Sequence, residues 1–225
     1  MKAKKLYILP LLALLSSCVS SIPLRSDIRE FIASFSLEES INTYLEGGYD
    51  RHEIVYRDNV KTETYIEVDF NIKNVNHPTY TYVETIYKDD ALDRTTNRQL
   101  VYEDEKIFYE SEEGKTEYNL SQCRKLINTF FYTQTSIDGM YHSNGMYFGD
   151  YLVEMSRDIQ NFVTINSDKT KYIFHREHTG MENGVSATIK QDYSVNTLGM
   201  LEQYSIDSHA EDGRYSTLSI EVFKS

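Results

Sequence analysis

The chain has 225 residues, 40% of them apolar, which is enough for one domain with a sizeable core. Its 35 acidic side chains outnumber 23 basic ones, for a net charge of −12. Such a balance argues against a nucleic-acid binder and against electrostatic docking onto anionic lipid headgroups.

The first predicted element is a secretion signal. Lys2, Lys4 and Lys5 form a basic head, Leu6 to Leu15 an apolar centre, and Ser16 and Ser17 the small residues before Cys18. The centre contains Pro10 and falls short of the roughly 20 residues of a membrane-spanning helix. Leu15-Ser16-Ser17-Cys18 resembles the lipobox of bacterial lipoprotein precursors. That resemblance implies cleavage after residues 1–17, a diacylglyceryl group on the Cys18 sulfur, and a protein facing out of the cytoplasm from the cell membrane or outer membrane. The alternative is an ordinary signal-peptide cysteine that is never acylated. Loss of three lysines and no acids takes the net charge from −12 to −15. Residues 18–26 then form the lipidated N-terminus and its tether, and the eight residues after Cys18 reach about 27 Å when extended. Cys123 is left as the sole thiol, so no intramolecular disulfide forms, and it reads as a small core residue.

Ile28, Phe31, Ile32 and Phe35 follow at helical spacing on one stripe. Ser36 with Glu39 reads as a capping box that restarts the helix, which Gly47-Gly48 is expected to end. From His52 the period changes to two: Ile66, Val68, Phe70 and Ile72 alternate with Glu67, Asp69, Asn71 and Lys73, the pattern of a strand with one buried face. Asn76-His77-Pro78 turns the chain into a strand over Thr79–Tyr87, and short strands follow at Gln99–Glu103, Ile107–Ser111 and Lys115–Tyr118. Helices are predicted around Leu120–Phe131 and over Tyr151–Ile159, the second capped by Asp150. Strands resume at Asn161–Asn166, Lys171–His178, Gly184–Tyr193, Met200–Asp207 and Arg214–Phe223.

A leading helix, a long antiparallel meander, helices inserted midway and a return to hairpins is an element order that resembles the lipoprotein-carrier family, including the mycobacterial lipid-binding lipoproteins. The resemblance covers nearly all of residues 27–223 and rests on no motif residue. It implies an α+β fold: a strongly curved antiparallel sheet of about 11 strands, forming a half-open barrel, with the N-terminal and inserted helices covering the concave face. Residues 27–225 would be a single domain of that kind. The periplasmic carrier of this family is soluble, whereas Cys18 predicts an anchor, so the anchored lipid-binding relatives are the better parallel.

No stretch carries a catalytic, cofactor or phosphate-loop motif, and no enzymatic activity is expected. His175 and His178 are three apart in a predicted strand, where they point to opposite faces and cannot share a metal. Asp89-Asp90 with Asp93 lacks the pattern of a calcium loop and reads as a surface turn. The segment Gln134–Gly149 departs from this plainness, because it combines three glycines with Met140, Met146, Tyr141, Tyr147 and Phe148. Soft and flat apolar side chains on a glycine-rich segment suit a lid over an apolar cavity, although the plainer reading is a connection that finishes the core, and a contact surface for another protein is a third. As a lid, its ligand contacts would be Phe131, Ile137, Met140, Met146, Tyr147, Phe148, Leu152 and Met155. Two function classes follow. One is an anchored lipoprotein that shelters a hydrophobic small molecule or lipid between sheet and helices; the other is a structural or protein-interaction lipoprotein with a filled core.

Overall fold

The computed structural model describes residues 24–132, 134–137, 140–143, 146–147, 160–182 and 184–224. It opens with α1 (Ser26–Ile32) and α2 (Leu37–Thr43). The predicted stripe is real: Ile28 and Phe31 are buried, and Ile32, Phe35, Leu37 and Ile41 pack around them. At the start of α2 the Ser36 hydroxyl accepts from the Glu39 N–H at 3.2 Å, the N-cap contact expected from the Ser-x-x-Glu spacing.

Gly47 and Gly48 do not end that helix, which stops at Thr43; they belong to β1 (Glu46–Arg57). Their smallness serves a close approach instead. A Cβ on Gly48 would stand 1.8 Å from the Val68 carbonyl oxygen and 2.8 Å from the Phe223 ring, so no larger residue fits between the flanking strands.

β2 (Val60–Asn71), β3 (Thr79–Lys88), β4 (Ala91–Glu103), β5 (Lys106–Ser111) and β6 (Gly114–Tyr118) continue the meander. Its β1–β2, β3–β4 and β4–β5 hairpins turn on Asp58-Asn59, Asp89-Asp90 and Asp104-Glu105, all at positive φ between 48° and 65°. Two such residues in succession match the strand twist, and Asp and Asn tolerate this region better than most. Then comes α3 (Leu120–Tyr132), capped by a reciprocal pair: the Asn119 side chain accepts from the Gln122 N–H, and that of Gln122 from the Asn119 N–H. Within the segment read as a lid, β7 (Gln134–Ile137) and β8 (Met140–Ser143) form a small hairpin. The helix predicted over residues 151–159 lies outside the described residues. A 3₁₀ turn at Gln160–Phe162 leads into β9 (Val163–Ile165) and β10 (Lys171–Glu182), followed by β11 (Val185–Asn196), β12 (Leu201–Ala210) and β13 (Tyr215–Phe223).

Eleven strands make one antiparallel sheet in the order β6-β5-β4-β3-β2-β1-β13-β12-β11-β10-β9. The first and last strands are therefore neighbours, and two meanders run outward from that pair. β6 and β9 end the sheet without pairing to each other, so it is open. This is the antiparallel α+β architecture of about eleven strands that the element order implied.

Period-two alternation and the register sort the side chains onto two faces. One face is apolar: Val68 and Phe70 stand beside Tyr82 and Tyr80, and Tyr193 lies between Phe174 and Tyr204. Ring contacts run across it, with Phe174 and Tyr193 stacked at 4.5 Å and Tyr193 and Tyr204 at 6.3 Å between centroids. α1 packs onto this face through Phe31, 6.1 Å from the Tyr172 ring. Ile127 of α3 joins the same cluster. Each such large side chain, once buried, contributes about 1.5–3 kcal/mol, which makes this face the main source of stability.

Polar bonds fix where the helices sit. The buried Ser40 hydroxyl donates to the Leu198 carbonyl at 2.5 Å, and the Asn196 side-chain amide donates to the Tyr44 hydroxyl at 2.7 Å. Both tie α2 to the β11–β12 turn. Arg25, before α1, is tied instead to the 3₁₀ turn and β9, its guanidinium donating to the carbonyls of Gln160 and Val163 at 3.0 and 2.9 Å.

Candidate functional site

The opposite face of the sheet carries a groove of about 700 Å³. It crosses β2, β1, β13, β12, β11 and β10, so the junction of the first and last strands runs through it. Two rows of directly opposed residues form its lining. One runs Glu67, Asp50, Glu221, Gln203, Ser194, Ile173; the other runs Tyr65, His52, Ser219, Ser205, Asp192. Serines in the middle strands leave the floor low, while Tyr65 and Ile173, each 39% exposed, rise at the two sides.

One wall is a built network. The rings of His52 and Tyr65 stack at 4.3 Å, 7° from parallel. Glu63 takes the Tyr65 hydroxyl at 2.5 Å and lies 2.8 Å from His52 Nε2 and 2.9 Å from Lys61 Nζ. The Tyr65 hydroxyl first and Lys61 second hold the Glu63 carboxyl well below its ordinary range, at about 2. Lys61 is held protonated by Asp90 and by Glu63. Across the groove His175 Nδ1 meets Asp192 Oδ1 at 2.5 Å, and Lys171 meets Glu202 at 2.8 Å.

The basic groups around the groove are thus occupied by acids of their own. Glu67, Asp50 and Glu221 differ: all three are exposed, they are immediate cross-strand neighbours, and none has an ion pair among the described residues. The groove can therefore offer three adjacent carboxylates, a hydroxyl-lined floor and two apolar shoulders.

Those residues named from sequence that are described fall elsewhere. Met146 and Tyr147 are 2% and 9% exposed and belong to the cluster on the apolar face. The Met146 carbonyl accepts from the Leu201 N–H at 2.6 Å, and Tyr147 makes a β-bridge with Met200. Phe131 lies in the last turn of α3, while Ile137 and Met140 are opposed in the β7–β8 hairpin. Phe148, Leu152, Met155 and Cys18 lie outside the described residues. Cys123 is fully buried, and burial pushes its thiol up. His175 and His178 fall on opposite faces of β10, as expected of a strand; the first is in register with Asp192 and the second with Ile189.

The groove itself escaped sequence reasoning. Its acidic row is assembled from the chain's first, second and last long strands, and nothing local announces that β1 and β13 are neighbours. The one available signal was the outward set Glu67 and Asp69, read only as the polar side of an amphipathic strand.

No family model matches the chain, and no curated protein matches it. Among solved structures it is similar to a β-barrel-like protein of domain of unknown function DUF1849 from Brucella abortus. That similarity covers 80% of this chain and 97% of the other, at 7% identity and a TM-score of 0.22, and no property of that protein is carried over.

Proposed function

We propose that this protein is an extracytoplasmic lipoprotein, anchored through a diacylglyceryl group on Cys18, that acts as a binding protein and receives its ligand in the groove on the outer face of its sheet. The observation that carries the binding reading is the groove. Its volume of about 700 Å³ falls within the 300–1,000 Å³ typical of small-molecule sites, and polar groups converge between two apolar shoulders. The anchor rests on Leu15-Ser16-Ser17-Cys18, and a tether of about 27 Å would hold the groove close to the membrane surface.

A second reading has its own support. A hydrophobic ligand, a lipid among others, would lie between the curved sheet and helices over its concave face, against the aromatic run of Tyr172, Phe174, Tyr193 and Tyr204. Met146 and Tyr147, seated on that face, would be part of the cover. The close burial of all six residues favours the groove as the first place to look.

The test is native mass spectrometry on the full-length protein, extracted in detergent from its own cells, beside a Ser205→Trp variant that fills the groove floor. The groove reading expects a non-covalent ligand on the wild type and none on the variant. A ligand retained by the variant but lost by Met146→Ala would move the site to the helix-bearing face. The anchor is read in the same spectra: an N-terminus at diacylated Cys18 is expected, and any other N-terminus overturns it.

A further inference from the structure

Resting on the groove reading above, we infer that the ligand is a neutral oligosaccharide, one pyranose ring of which stacks on the imidazole of His52 above Ser219 and Ser205. Two rows on the same face of the sheet carry the argument. Tyr56, Tyr215 and His209 are directly opposed on β1, β13 and β12, and their rings form a continuous stack, with centroids 5.3 and 5.9 Å apart and planes at 11° and 22°. Four residues along each of these strands, the row through the groove opposes His52, Ser219 and Ser205. Tyr65 covers one face of the His52 ring at 4.3 Å, so the other face turns to Ser219, at the position where the neighbouring row has the Tyr215 ring. Serines thus stand in two places that rings fill one row away, and the groove lies over them. Asp192, bonded to His175 at 2.5 Å, closes the row on the far side. From His52 to Asp192 is three strand spacings, or about 14 Å between backbones, which admits a ring standing beside the imidazole.

The surroundings of that ring position select the class. Glu221 and Gln203 stand on one side of the two serines and Thr217 and Asp207 on the other, each two residues along β13 or β12, and Asp192 faces the imidazole. An aromatic ligand would turn C–H edges to these groups and take their water without replacing its hydrogen bonds. A pyranose matches both surfaces: its C–H face lies on the flat imidazole, while the hydroxyls around its rim donate to the carboxylates and exchange bonds with Gln203 and the serines. Anionic sugars are disfavoured by the same carboxylates, because Lys171 in the groove is held by Glu202 at 2.8 Å. The imidazole is set up as a stacking surface and not as a base for Ser219, since both ring nitrogens lie in the plane of a ring that turns its face to that serine. Its orientation is fixed in advance: Nε2 lies 2.8 Å from Glu63, which also takes the Tyr65 hydroxyl at 2.5 Å, so little side-chain freedom is lost on binding. The groove crosses six strands, about 24 Å at about 4.8 Å each, which accommodates further sugar units in line.

The probes are neutral oligosaccharides of glucose, mannose, galactose and N-acetylglucosamine, added to the full-length protein in a detergent without sugar headgroups. Saturation-transfer NMR and calorimetry read the binding. At least one series should bind saturably, with transfer strongest to the C–H protons of one ring and an affinity that salt leaves unchanged. His52→Ala and Ser205→Trp should each weaken binding by about tenfold or more, whereas His52→Phe should keep it. Both His52 variants lose the bond to Glu63 and only one loses the ring face, so their difference isolates stacking from folding. No binding by any series, equal binding by His52→Ala, or an affinity that falls with salt would overturn the inference. Sugar bound equally by Ser205→Trp would also overturn it, placing the glycan outside the groove. If Ser205→Trp loses a co-purifying ligand that contains no sugar, the carbohydrate inference fails and the groove reading stands.

Discussion

Gly48 stands directly opposite Phe223, with the Val68 carbonyl oxygen 1.8 Å from where a Cβ on Gly48 would be. This contact sits in the pair of strands that joins the two meanders, and every inter-strand path from β2 to β12 passes through it. Neither obstacle is a flexible side-chain end: one is backbone of β2, the other a ring packed on the outer face. Gly48→Ala should therefore force β1 away from β2 or β13 and destabilise the fold by about 1–3 kcal/mol, a larger loss than a surface alanine produces. Chemical denaturation measures it, and an unchanged midpoint would mean that the three strands separate without cost.

The same junction shows why only part of the fold was legible in the sequence. Ile66, Val68 and Phe70 announce β2 because one face is buried and the other wet, and the Ile28–Phe31 stripe announces α1 for the same reason. β4 was found only from Gln99 onward. Its first half, Ala91–Asn97, is exposed on both faces apart from Thr96, so alternation gives no contrast. Gly47-Gly48 was misread because glycine ends helices and permits close strand approach alike, and only the tertiary neighbour decides between them. The Met and aromatic composition around residue 146 did mark a segment that contacts the sheet. Composition could not say which of two apolar roles it serves, nor that a polar groove lies on the other face.

Acid should act through Glu63. Its folded-state carboxyl is held at about 2 against an ordinary 4.5, so it is ionised in the native protein where the unfolded chain has begun to bind protons. A depressed carboxylate stabilises fully above the unfolded value and loses that contribution as pH falls from about 4.5 towards 2. Glu63→Gln should flatten the decline of melting temperature over that interval and change little of its shape near neutrality. Identical acid limbs in variant and wild type would assign the decline to other carboxylates, of which Asp27, held low by Arg25, is the next candidate.

Cys123 is fully buried in α3 and its thiol is pushed up by burial, so thiolate is scarce and inaccessible in the folded state. An aromatic disulfide reagent at pH 8 should label the native protein only at the rate of global or local opening, and label it at once in denaturant. Fast labelling under native conditions would mean that α3 detaches readily from the sheet. If Cys18 is lipidated as proposed, no second thiol remains, and reductant should leave the melting temperature unchanged.

Met146 decides between lid and core. It is 2% exposed, its carbonyl is bonded to Leu201 in β12, and its neighbours include the fully buried Met200. A residue so placed is expected to behave as core: Met146→Ala should cost about 2–5 kcal/mol, or a fall of roughly 5–15 °C in a domain of this size. A lid would respond differently, because elements that open for a ligand come from the low-stability end of the structure and can be altered without unfolding the rest. The discriminating measurement pairs thermal melting with titration of a fluorescent acyl probe. A large fall in melting temperature, with no saturable probe binding by the wild type, assigns Met146 and Tyr147 to the core and leaves the outer groove as the binding site. An unchanged melting temperature with wild-type probe binding that Met146→Ala abolishes would instead establish a lid, and the hydrophobic ligand would belong between sheet and helices.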